Sequence, residues 1–245
     1  DYLSIDKYNK LCSNKDTKIH MPKLKIDEET NIVFFSKEEM QQLDNYFKGT
    51  NVETAYLLGK YCGLRINECF GLKWDKIDLK NGTITIDRQM QYQNGMIKLV
   101  PLKTRNAKRK IYVCSKLKEY FTNLMQQQEK YKTELAELRQ QKQTLIKDIQ
   151  GNTISSLELV NSMPIGRMQT VNAMKYHTRT LKEKYHIDFK YHYLRHTYGT
   201  TLATLNTPEH LLCNQMGHSS SSVTHKYYIG CLLYTSPSPR DISGS

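Results

Sequence analysis

Two segments of this chain place histidine and arginine where phosphate chemistry could use them. In Tyr191-His192-Tyr193-Leu194-Arg195-His196-Thr197, His192 and Arg195 stand three residues apart. On a helix that spacing puts both on one face, although many solvated helix surfaces share it. Downstream, Met216-Gly217-His218-Ser219-Ser220 adds another histidine, and Tyr227 follows His218 by nine residues, with Tyr228 beside it. Upstream, Gly63-Leu64-Arg65-Ile66-Asn67-Glu68 sets a carboxylate three residues after an arginine. Between them runs a basic stretch containing Lys103, Arg105, Lys108, Arg109 and Lys110. A guanidinium stays charged and presents a fork that fits phosphate oxygens, and an imidazole titrates near neutral pH. A phenol is only about 0.1 per cent ionised at pH 7, so a tyrosine nucleophile needs assisting neighbours. Attack on a phosphodiester needs a nucleophile, charge for the nonbridging oxygens and a proton for the leaving oxygen.

Composition agrees with such a substrate. The 36 Lys and Arg against 24 Asp and Glu give a net charge of +12 in 245 residues, which nominates a polyanionic partner, nucleic acid first. Charge alone says nothing of fold or chemistry. No apolar run reaches the roughly 18 to 20 residues of a membrane span, and Asp1-Tyr2-Leu3-Ser4 carries no signal pattern, so a cytoplasmic location is expected. Six cysteines without a Cys-x-x-Cys pair argue against a zinc site or disulfide framework. Neither a metal cofactor nor ATP is expected; arginines, a lysine and histidines can supply the positive charge, and no Walker loop is present.

The elements that must hold these residues can be read from capping, periodicity and breakers. Ser36 with Glu39 forms a capping box for a helix to about Phe47; 52–62 is a second helix stopped by Gly63; 65–72 is a short third. Alternation predicts strands over 82–88, 96–102 and 110–114. From 115 to 150 there is no Gly or Pro, and Leu117, Phe121, Leu124, Gln128, Tyr131, Leu135, Leu138, Lys142, Leu145 and Ile149 alternate spacings of four and three. That is a heptad seam with polar interruptions, and an unbroken helix here would be about 50 Å long. It is either an arm for a helical partner or an amphipathic helix covered by its own domain. Further helices are expected over 165–185 and 191–205, one capped by Thr207 with Pro208 at its first position, and a last short one over 220–228. The expected fold is mainly α with a small antiparallel β-sheet. Residues 1–30 read as the end of an amino-terminal domain and a linker, 31–230 as the catalytic domain, and 231–245 as a non-native tail.

The ordered motifs resemble those of the tyrosine recombinases of the phage integrase family. The segment 191–197 is similar to that family's His-x-Leu-Arg-His-Thr box, 216–220 to its Leu-Gly-His-Ser box, and 61–78 to its first arginine box with the acidic residue three positions on. Tyr227 stands at the offset from His218 that the family's nucleophile occupies.

The resemblance implies a mainly α catalytic domain that cleaves and rejoins double-stranded DNA through a 3′-phosphotyrosine, with protomers associating as a tetramer on paired sites. It makes Tyr227 the nucleophile and has Arg65 and Arg195 clamp the nonbridging oxygens. His192 takes the phenol proton or hydrogen-bonds the phosphate, and His218 donates to it. Lys103 becomes the general acid, with Lys108 and Lys110 as nearby alternatives. Glu68 orients Arg65 or a neighbouring histidine, while Arg105, Lys108, Arg109 and Lys110 track phosphates. Adjacent helical residues point about 100° apart, so one of Tyr227 and Tyr228 faces the phosphate, and the offset selects Tyr227. Ile229 departs from the family's histidine two residues after the tyrosine. His196 reads as structural and His225 as solvated. Two other functions fit the same residues: a type IB topoisomerase-like relaxer, and an inactive integrase fragment that only binds DNA.

Overall fold

The computed structural model describes residues 33–93, 96–103, 107–218 and 224. The chain divides into units 1–31 and 32–245, and all of these residues belong to the second. The expected linker, the tail and Tyr227 itself lie outside the described residues, as does the last short helix apart from Thr224.

Local chemistry sets the first helices. Ser36 Oγ accepts from the Glu39 N–H at 3.1 Å while the Glu39 carboxylate accepts from the Ser36 N–H at 2.8 Å, starting α1 (Lys37–Phe47). Helix α2 (Glu53–Cys62) stops at Gly63, whose φ of 59° is left-handed. A Cβ there would also fall 2.5 Å from the Tyr198 ring, so glycine is needed twice over. Helix α3 (Ile66–Phe70) follows at once.

The strands form two small sheets instead of the one expected. In the first, β2 (Thr83–Ile86) lies between β1 (Ile77–Asp78) and β5 (Arg109–Tyr112), all antiparallel. The run expected as one strand over 82–88 divides at Asp87, whose carboxylate takes the Arg88 guanidinium at 2.7 and 3.0 Å. Ile84, Ile86 and Met90 keep one buried face across the break, but beyond it the pairing partner changes. There β3 (Arg88–Gln93) pairs antiparallel with β4 (Met96–Pro101). The second sheet is mixed: β4 meets β6 (Leu145–Lys147) in parallel through Lys98 and Lys147, and β6 pairs antiparallel with β7 (Thr153–Ser155).

The single helix expected over 115–150 is corrected. Helix α4 (Ser115–Glu134) ends where Leu135 adopts φ −117°, α5 (Ala136–Lys142) is separate, and the rest is the β6–β7 hairpin. The seam is buried at Leu117 and Phe121 and half-buried at Leu124, Tyr131 and Leu135, but Leu138 and Leu145 are exposed, so apolar cover gives out where the helix ends. Instead Arg139 turns inward, donating to the Pro164 carbonyl at 2.8 Å and to Gln128 Oε1 at 2.6 Å. Asp148 Oδ1 then accepts from the N–H groups of Gln150 and Asn152 at 2.9 and 2.8 Å to make the hairpin turn.

The carboxy-terminal helices carry the remaining motifs. Helix α6 (Val171–Tyr185) starts at a Thr170 cap, shorter than the expected 165–185 because 159–169 packs as loop on the segment after α3, with the Val160 N–H on the Leu72 carbonyl at 2.9 Å. Helices α7 (Tyr191–Thr204) and α8 (Glu209–Met216) follow. Pro208, not Thr207, is the N-cap of α8. Phe47 stacks on Tyr56 at 4.5 Å and packs on Phe189 at 5.2 Å, at the centre of the core that seats α7. Among the described residues no helix is long and apolar enough to cross a membrane.

Candidate active site

A cleft of about 580 Å³ collects residues singled out by the motifs from four parts of the chain. Arg65 and Glu68 come from the start of α3, Lys103 from just past β4, His192 from the first turn of α7, and His218 from just past α8. These are five of the residues singled out by the motifs. Asn67, Gln89, Gln91 and Tyr191 also line it. The two glutamines sit on β3 at period two, in the run Arg88-Gln89-Met90-Gln91-Tyr92-Gln93; that alternation was the available signal.

Glu68 organises the floor. Its side chain is 2% exposed and accepts from the Arg65 N–H at 3.0 Å and from Arg65 Nη1 at 3.0 Å. The expected pairing with Arg65 is therefore present, but Arg109 grips the same carboxylate with both terminal nitrogens, at 2.8 and 3.1 Å. Arg109 is buried, which corrects its expected place on the DNA surface. The β5 alternation turns Arg109 and Ile111 inward and Lys110 and Tyr112 outward. Lys108 and Lys110 are exposed, as is Lys103, while Arg105 lies outside the described residues. Burial would raise the Glu68 carboxyl, but the hydrogen bond and charge of Arg109, then Arg65, outweigh it and hold the group at about 2.

Arg195 does not line the cleft. It is 1% exposed, with Nη1 on the Gly63 carbonyl at 2.6 Å and Nη2 on the Met216 carbonyl. Those carbonyls lie two residues before Arg65 and two before His218, so Arg195 ties the two segments together from behind. Together with Arg109 Nε on the Gln215 carbonyl at 3.0 Å, it sets cations against the carbonyl end of α8. Gly217 closes that helix at φ 62°, with the Gly217 N–H on the Asn214 carbonyl and the His218 N–H on the Cys213 carbonyl.

Both cleft histidines are neutral at pH 7. Burial first, then the positive charges of Arg195 and Arg65, push His218 down to about 3. Burial, then His196 and Arg195, push His192 down to about 4. His218 Nδ1 bonds Thr224 Oγ1 at 2.9 Å. The His192 ring stands edge-on to His196 at 4.4 Å, and His196 donates from Nδ1 to the Val33 carbonyl at 3.0 Å, the structural part expected of it. Such a site, lined by Arg65, Lys103 and two neutral imidazoles, can bind an anion and accept a proton.

The model of the phage integrase family matches residues 25–230. The chain is 27% identical over 210 residues to a XerC-like tyrosine recombinase of Caldanaerobacter subterraneus subsp. tengcongensis, covering 82% of this chain and 51% of that protein. It thus spans about half the length of the curated relative it matches. A Tn1549 transposon integrase in complex with a circular intermediate DNA superposes with a TM-score of 0.66 at 19% identity, over 91% of this chain and 71% of that one. The XerA recombinase gives 0.53 at 18% identity, over 80% and 60%. The chain belongs to the phage integrase family and has the fold of a tyrosine recombinase catalytic domain.

Proposed function

We propose that this chain is the catalytic part of a site-specific DNA recombinase that cuts and rejoins double-stranded DNA through a covalent 3′-phosphotyrosine at Tyr227. The observation that carries this reading is the convergence of Arg65, Lys103, His192 and His218 on one cleft. The Tyr227 phenol oxygen attacks phosphorus and its proton passes to neutral His192. The bond from phosphorus to the 5′ oxygen breaks, and that oxygen takes a proton from the Lys103 ammonium. Arg65, held by Glu68, and His218 meet the charge that grows on the nonbridging oxygens, while Arg195 adds its charge from behind the histidines. One phosphoester bond replaces another, so the step needs no nucleoside triphosphate. A 5′ hydroxyl of a partner duplex reverses it and joins new strands, with protomers assembled as a tetramer on paired sites.

Lys108 and Lys110, both exposed, follow the phosphate backbone outside the cleft. The Tn1549 integrase, similar in fold and bound to DNA, supports DNA as substrate, as does the net charge of +12. The test mixes the chain with random-sequence duplexes that each carry one nick, so that the short fragment beside a cut is lost and the covalent product is trapped. An SDS-resistant adduct with a free 5′ hydroxyl at the cut, absent from Tyr227→Phe, is expected. No adduct, or one that persists in Tyr227→Phe, contradicts the reading.

A further inference from the structure

Arg109, buried within the basic run, directs its hydrogen bonds to two distant segments that carry cleft residues and to the carbonyl of its own neighbour Ala107. Nη1 and Nη2 hold Glu68 Oε1 and Oε2, Nη1 also donates to the Ala107 carbonyl at 3.1 Å, and Nε donates to the Gln215 carbonyl at 3.0 Å. Its Cδ lies 2.9 Å from where a Cβ on Gly217 would fall, so the backbone just before His218 rests on the arginine side chain. Glu68 is the carboxylate that holds Arg65, Ala107 stands four residues after Lys103, and Gln215 stands three before His218.

We infer that Arg109 is a positioning residue for strand cleavage, setting the mutual placement of Arg65 and His218 without touching DNA. The inference rests on the function proposed above. A guanidinium is planar and its N–H groups point in fixed directions, so the two distant segments bound to one guanidinium are fixed relative to each other. A lysine ammonium keeps the charge but releases that geometry. Misplacement of catalytic groups by about 1 Å costs about 10²-fold in rate.

The test is Arg109→Lys in the full chain, using a duplex recovered from a random pool by binding and then nicked. Thermal melting first defines a temperature at which the variant is fully folded. There, adduct formation at saturating DNA should slow by about 10- to 100-fold, with the dissociation constant within about threefold of the parent. The slope of log affinity against log salt should not change, whereas loss of a phosphate contact lowers it by about 1. A saturated rate within about twofold of the parent at that temperature means a role in folding alone and overturns the inference. A slope lowered by about 1 means direct phosphate contact and overturns it as well. If Arg109→Lys folds at no temperature, Arg109→Gln, which leaves the Glu68 contact to Arg65 in place, is put through the same measurements, with slow cleavage at undiminished affinity expected and a parental rate overturning the inference. A parent chain that forms no adduct overturns the proposed function and this inference together; a parent that does, matched by the variant, overturns this inference alone.

Discussion

Replacing Glu68 with glutamine keeps the shape of the side chain and removes the charge that two guanidinium groups face. Arg109 and Glu68 have side chains 4% and 2% exposed and meet through two hydrogen bonds, with Arg65 adding two more from its N–H and Nη1. A buried guanidinium left without its counter-charge costs about 3 to 5 kcal/mol. The carboxyl itself gives a second route to the magnitude: burial would raise it, yet Arg109 and then Arg65 hold it at about 2 instead of 4.5. A difference of that size corresponds to about 3 kcal/mol. Since the folded value lies below the unfolded one, this stabilisation is complete above about pH 4.5 and is lost as pH falls toward 2, about 2 kcal/mol of it by pH 3. Urea unfolding can be followed by the fluorescence of Trp74, the single tryptophan, which packs edge-on against Phe121. At pH 7 Glu68→Gln should be about 3 to 4 kcal/mol less stable at an unchanged urea slope, with the gap narrowing between pH 4.5 and 3. A gap below about 1 kcal/mol at pH 7, or one that stays constant down to pH 3, refutes the reasoning.

Three further outcomes follow from the same geometry. Lys103→Ala should slow cleavage by about 10²- to 10⁴-fold, as expected for loss of a general acid. A duplex with sulfur in place of the bridging 5′ oxygen should restore most of that rate, because a thiolate of pKa about 8.5 leaves without a proton; equal slowing on both substrates excludes Lys103 as the acid. His192 and His218 are neutral at pH 6, held low by burial and by neighbouring charge, and a phosphate in the cleft favours their protonated forms. DNA binding should therefore take up protons and tighten as pH falls from 6 to 4.5, seen by calorimetry in buffers of different ionisation heat; zero uptake at pH 5 contradicts this. Gly217→Ala meets both a φ of 62° and the Arg109 side chain, and should cost at least about 1 to 2 kcal/mol in the urea assay. A loss under about 0.5 kcal/mol would mean that the backbone before His218 does not rest on Arg109.

The residues that the motifs singled out were legible because their chemistry requires particular side chains, and Arg65, Glu68, Lys103, His192 and His218 do line one cleft. Arg195 and Arg109 were harder to read. Sequence marks both as cations, but only the packing of α7 and β5 turns them away from the cleft and onto backbone carbonyls and Glu68. The α1 capping box and the Gly63 stop were readable since each is decided within a few residues. The break at Leu135 was not, because no glycine or proline marks it and the heptad spacing continues through it. What ends the helix is a lack of apolar cover and the inward turn of Arg139, both set by residues distant in sequence. The hairpin beyond it did have a local sign, Asp148 followed by Gly151 and Asn152 between β-branched residues, which the heptad pattern masked.

The identity of the attacking tyrosine bears most directly on the central claim, since Tyr228 stands next to Tyr227 in the sequence. Protease digestion of the trapped adduct, followed by mass spectrometry of the peptide that retains nucleotide, reads it without reference to any variant. The account predicts a nucleotide linked through its 3′ phosphate to Tyr227. Nucleotide on Tyr228, on another residue, or linked through a 5′ phosphate would contradict it.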